Sequence, residues 1–153
     1  MANKPPQEIT GSNSKVKLVV PGSWVSKDPP NENVVLNLSN DSGYLNIIIS
    51  YEYVDADRLE LDQYAQIMGN KFRDNAPNFE SISAIRKCNS TQLDCVFQIV
   101  NATNGEKGTT TVIASLNGEG VYYNFIAITN PGLFDNYSED IFNALSSLNE
   151  IHK

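Results

Sequence analysis

The sequence predicts an α+β fold: a single domain with a central antiparallel β-sheet of about six to seven strands flanked by helices, an α/β/α sandwich. Three observations predict it. From Ser14 onward apolar residues alternate with period 2, the mark of half-buried strands. The period becomes helical twice, once between strands and once at the C-terminal end. Two strand candidates are apolar on both faces, so the sheet is expected to be covered on both sides.

In chain order, Val16, Leu18 and Val20 alternate with Lys15 and Lys17, and Pro21-Gly22 stops the run. Val34, Leu36 and Leu38 follow, before the turn Asn40-Asp41-Ser42-Gly43. Tyr44 to Tyr53 is the longest strand candidate, with Leu45, Ile47, Ile49 and Tyr51 on one face and Ile48 on the other. Leu61, Tyr64, Ala65, Met68 and Phe72 then share one helical face, and Ala76-Pro77 ends that helix because the residue before proline is pushed out of the helical region. Four strands are expected next, at Phe79 to Cys88, Leu93 to Val100, Thr109 to Leu116 and Val121 to Ile128. Asn104-Gly105 and Asn117-Gly118 are hairpin signals, since a type I′ turn needs positive φ at both central residues. The last helix is expected from Asn136, three residues before Glu139 in a capping-box-like start, with Tyr137, Ile141, Leu145 and Leu148 as its stripe.

The chain has 153 residues and a formal charge of −7, from 18 acidic and 11 basic side chains. That length suits one domain with a substantial core. No run approaches the ~18 apolar residues of a membrane-spanning helix. An acidic surface argues against nucleic acid, whose phosphates call for a basic face. The only histidine, His152, is expected in a C-terminal tail, residues 152–153, so catalysis through a positioned imidazole is not expected. No cofactor is implied.

Asn3 to Ser14 holds two prolines, one glycine, two serines and one large aliphatic side chain, Ile9. That composition is expected of a flexible polar tether, residues 1–14, ahead of a domain at 15–151. Residues 1–6 lack an apolar leader region, so the chain is read either as cytoplasmic or as the mature part of an exported precursor, one that could carry a lipid anchor. Cys88 and Cys95 are spaced so that a reversal between two strands could bring the sulfurs within bonding reach. A bridge would place the protein outside the reducing cytosol; two free thiols would place it inside. The usage of 19 asparagines, eight lysines and three arginines fits an AT-rich bacterial genome.

Val16 to Trp24, reading Val-Lys-Leu-Val-Val-Pro-Gly-Ser-Trp, resembles the opening strand and Pro-x-x-Trp turn of the PsbP/Mog1-like fold family. The order that follows is similar too: the helix opening Leu61-Asp62-Gln63-Tyr64-Ala65, the hairpins, the aromatic strand Val121-Tyr122-Tyr123-Asn124-Phe125 and the helix ending near Leu145-Ser146-Ser147-Leu148. The resemblance implies a binding or assembly module, not an enzyme. In tether, composition and cysteines the chain is similar in character to bacterial envelope and lipoprotein members of that family.

Two groups of side chains are candidate sites. Asp55, Asp57, Glu60 and Asp62 crowd the start of the first helix, where carboxylates could hold a hard cation but also complement the helix dipole. Tyr51, Tyr53, Tyr122 and Tyr123, with Tyr44, are either contact aromatics or cross-strand packing. The leading functional expectation is a non-catalytic binding or accessory domain, displayed outside the bacterial cytoplasm, with a protein partner and a monomeric or weakly dimeric state. The alternatives are a small ligand-binding protein or carboxylate-dependent hydrolase with an acidic cleft, and a cytosolic transport or chaperone factor.

Overall fold

The computed structural model describes residues 5–12, 15–53, 60–75, 79–88, 92–104 and 107–151. Along the chain run β1 (Gln7–Thr10), β2 (Val16–Val20), β3 (Val25–Lys27), β4 (Val34–Ser39), β5 (Asn46–Tyr53), α1 (Leu61–Asn75), β6 (Phe79–Ile82), β7 (Arg86–Lys87), β8 (Cys95–Asn104), β9 (Lys107–Asn117), β10 (Val121–Thr129), α2 (Pro131–Ser147) and β11 (Asn149–Glu150). Eight strands make one antiparallel sheet in the order β3-β4-β5-β10-β9-β8-β6, with β7 also pairing β8. β1, β2 and β11 make a separate sheet of three.

β10 shows how the layers arise. Val121, Tyr123, Phe125 and Ala127 enter the main core with Val112, Ala114 and Leu116 of β9 and Ile47 and Ile49 of β5. Val16, Leu18 and Val20 of β2 and Ile141, Ala144 and Leu145 of α2 close over that face. Each large side chain fully buried there contributes about 1.5 to 3 kcal/mol. The opposite face of β10 presents Tyr122 and Asn124 to α1, where Tyr64 stacks on Tyr122 and its hydroxyl meets Asn124. α1 approaches closely because residue 69 is glycine. A Cβ there would stand 2.6 Å from Gln98 Oε1, and the same Gln98 donates its amide N–H to the Ala65 carbonyl at 2.7 Å.

The fold is the expected α+β domain, with an antiparallel sheet and a helix against each face. The sheet exceeds six to seven strands because short edge pieces, β3 and the β6–β7 pair, carry too few residues to show a period. Phe79 to Cys88 is two strands, not one, with Ser83 to Ile85 between them. The final helix starts at Pro131, five residues before Asn136. Proline suits the first turn, where its missing N–H has no intrahelical partner, and Asn130 precedes it in extended conformation.

Residues 7–10, expected in the tether, form β1 along β2, with Gln7 opposite Val20 and Thr10 opposite Lys17. Ile9 packs on the core, and the Gln7 amide donates to the carbonyls of Pro21 at 3.2 Å and Trp24 at 2.8 Å. Backbone pairing and one anchored amide thus order a segment whose composition is that of a linker.

The turns follow the sequence in position more than in mechanism. Asn40 to Gly43 turns as expected, with Gly43 at φ +80° and Asn40 Oδ1 accepting from the Leu45 N–H at 3.2 Å. At the β9–β10 turn positive φ falls on Gly120 (+72°), not on Gly118. Gly118 is needed for space, since a Cβ there would run into the Tyr123 ring. Asn104 pairs with Lys107, so β8 and β9 form the expected hairpin, while Gly105 lies outside the described residues. His152 and the 152–153 tail lie outside them as well.

Candidate functional site

Cys88 and Cys95 are joined by a disulfide, with Cα atoms 5.3 Å apart. β7 pairs with the start of β8 and places the two residues opposite one another, the Cys88 N–H donating to the Cys95 carbonyl at 3.0 Å. Among the described residues no free cysteine remains.

Beside this bridge lies a cleft of about 460 Å³, lined by Glu60, Asp62, Lys87, Asp94 and both cysteines. The first residues of α1 line it together with the adjoining ends of β7 and β8. The Glu60 backbone N–H donates to Gln63 Oε1 at 3.1 Å, so Gln63 closes half of a capping box at the helix start. Asp62 sits in the first turn, where a negative charge complements the helix dipole. Glu60, Asp62 and Asp94 are all exposed. Asp55 and Asp57 lie outside the described residues, and within those described no three metal-ligating side chains converge.

The tyrosines divide by which face of the sheet is covered. Tyr122 is buried, its ring stacked on Tyr64 at 3.9 Å and 13°. Tyr123 is buried on the other face and donates its hydroxyl to Glu150 Oε2 at 3.0 Å. Neither can be a contact aromatic; both are core packing, because α1 and the three-stranded sheet lie over them. Tyr64 donates to Glu52 Oε2 at 2.9 Å and accepts from Asn124 Nδ2 at 2.7 Å. Burial pushes the Tyr64 phenol well above its ordinary value; the bond from Asn124 opposes that shift and the bond to the Glu52 carboxylate reinforces it. Burial, then the hydrogen bond to Glu150, raises Tyr123 in the same way.

Tyr51 and Tyr53 stay accessible. Their rings meet edge to face, with centroids 5.2 Å apart and planes at 82°, and Tyr53 is 67% exposed. Tyr44, 60% exposed, stands apart at the other end of β5. Partial burial, then Tyr53 and the Glu32 carboxylate, raise the Tyr51 phenol. Glu32 and Glu150 were not candidates from sequence, because they lie far from the tyrosines along the chain and no local pattern marks them.

No family model matches the chain, and no curated protein matches it in sequence. Solved structures do match it in shape. LpqN of Mycobacterium tuberculosis, described as involved in cell envelope biogenesis, is 10% identical with a TM-score of 0.71, over 97% of this chain and 91% of its own. The cyanobacterial PsbP of Synechocystis is 12% identical with a TM-score of 0.66, over 99% and 94%. The Ran-binding protein Mog1p of Saccharomyces cerevisiae is 9% identical with a TM-score of 0.60, over 92% and 85%. Likeness at such identities is likeness of fold alone, and the fold of this chain is the PsbP/Mog1-like one.

Proposed function

We propose that this protein is a non-catalytic binding or assembly domain that works outside the bacterial cytoplasm with a protein partner. The observation that carries the reading is the shared fold, used by a Ran-binding protein and by a protein of cell envelope biogenesis. Fold alone does not fix activity, so chemistry must decide between readings. The disulfide supports an oxidising compartment, where such bonds persist. A lipid-anchored precursor is consistent with that location.

The test is intact mass of the protein taken from its own cells under alkylating conditions, with and without reductant. We expect no alkylated cysteine until reductant is added, together with a processed N-terminus. Two alkylated thiols before reduction, on an unprocessed chain, would support the cytosolic transport or chaperone reading instead. The acidic cleft beside the disulfide favours a second reading, a small ligand-binding protein, because about 460 Å³ falls in the range of ligand pockets. A hydrolase is a weaker use of it, since its carboxylates are exposed and general-acid work calls for a desolvated carboxyl.

A further inference from the structure

Where β5 runs out beside the β9–β10 turn, Tyr53 is the most exposed of the large hydrophobic side chains described. It stands edge-on to Tyr51, and the two lie on the face of β5 that buries Ile47 and Ile49 further back. Tyr51 packs partly against the core, whereas the Tyr53 ring stands in solvent and forgoes the burial it could contribute.

Two carboxylates lie near this pair. The Tyr51 N–H donates to the carbonyl of Asn33 at 3.0 Å, which brings the neighbouring Glu32 beside β5, and the Glu32 charge raises the Tyr51 phenol. Tyr123 is the register partner of Tyr51 and donates to Glu150. Both Glu150 oxygens also accept from the Glu119 N–H at 3.1 Å, so that carboxylate is held in place before any partner arrives.

Aromatic rings beside carboxylates suit an organic cation. A ring attracts an ammonium or guanidinium through its quadrupole, and a carboxylate adds charge-assisted hydrogen bonds. The net charge of −7 steers basic partners towards the molecule and repels anionic lipid and nucleic acid. We propose that Tyr51, Tyr53, Glu32 and Glu150 form a docking corner for a lysine- or arginine-bearing segment of a partner protein. This rests on the binding-domain reading above and names the surface that reading lacks.

The test begins with the full chain, isotope-labelled for NMR and titrated with acetyl-Gly-Lys-Gly-Lys-Gly-amide, its arginine counterpart and its glutamate counterpart. The two basic peptides are expected to shift the ring resonances of Tyr51 and Tyr53, and the acidic one to leave them in place. Tyr53→Ala and Glu32→Lys should each weaken binding by about three- to ten-fold, while Tyr53→Phe, which keeps the ring, should retain it. Rings unmoved by the basic peptides overturn the proposal, as do rings moved equally by the acidic peptide.

In cells, p-benzoylphenylalanine is placed at Tyr53 and, as controls, at exposed Val25 and Ile67. A crosslink from position 53 to a peptide carrying lysine or arginine, lost on Glu32→Lys, supports the corner. Crosslinks from positions 25 or 67 alone overturn the corner and leave the binding reading standing. No crosslink from any position counts against both.

Discussion

At the scale of single residues, two buried tyrosines, Tyr64 of α1 and Tyr123 on the opposite face of the sheet, set the behaviour of the protein in alkali. Tyr64 joins Glu52 to Asn124, while Asn124 Oδ1 and its register neighbour Ser115 Oγ are buried without a partner among the described side chains. An unfolded tyrosine loses its proton near pH 10. Tyr64 and Tyr123 hold theirs to higher pH in the fold, so above about pH 10 the unfolded chain binds fewer protons than the native one and stability falls as pH rises. Below that pH these two groups contribute no slope. The phenolate absorbance contributed by Tyr64 and Tyr123, read as the difference from Tyr64→Phe and Tyr123→Phe, should therefore appear only as circular dichroism is lost. Ionisation of either residue with circular dichroism intact would contradict its burial. In Tyr64→Phe the Asn124 amide loses its acceptor, at a cost of about 1 to 3 kcal/mol. None of this was legible in the sequence, where Tyr122 and Tyr123 belonged to the same candidate group as Tyr51 and Tyr53. Alternation tells which residues share a face of a strand, but not how far along it the covering layer extends.

At the scale of elements, β1 separates composition from pairing. Its strand signal is weak because one apolar residue, Ile9, stands between Pro5-Pro6 and Gly11. The segment is ordered by its neighbour instead: β2 offers an open edge, Glu8 pairs with Lys17 at 3.8 Å, and Gln7 holds the turn that follows β2. Removing residues 1–10 should therefore lower the urea midpoint by the equivalent of about 1 to 3 kcal/mol, chiefly from uncovering Ile9 and the core residues beneath it. An unchanged midpoint would return the whole segment to the role of a linker. The helices were more legible than the edges. The stripe of Leu61, Tyr64, Ala65, Met68 and Phe72 fixed the first, whereas the start of the second was placed late because Asn136 mimics a cap inside a helix that Pro131 had already begun.

At the scale of the whole molecule, the covered antiparallel sheet was legible because β5 and β10 are apolar on both faces, a pattern that only a central strand sustains. The second sheet was not, since β2 alternates like any strand and its partners are four residues at one end of the chain and two at the other. That division leaves the molecule with short or guarded edges. β3 is three exposed residues ending in Lys27 and followed by Pro29-Pro30, and β6 is four residues with its register broken between Phe79 and Ser81. Short, charged or bulged edges resist pairing between copies. Val19, Val25, Tyr44 and Ile67 are exposed on separate elements, away from Tyr53, and a charge of −7 adds mutual repulsion. We therefore expect sedimentation equilibrium to return the 16.9 kDa monomer at every concentration reached. Raising salt removes most of the repulsion between copies and leaves the edges as they are. A monomer that persists in high salt locates the protection in the edges. A dimer that forms only in high salt, and is abolished by Val25→Lys, would locate it in charge alone and show β3 to be an open edge.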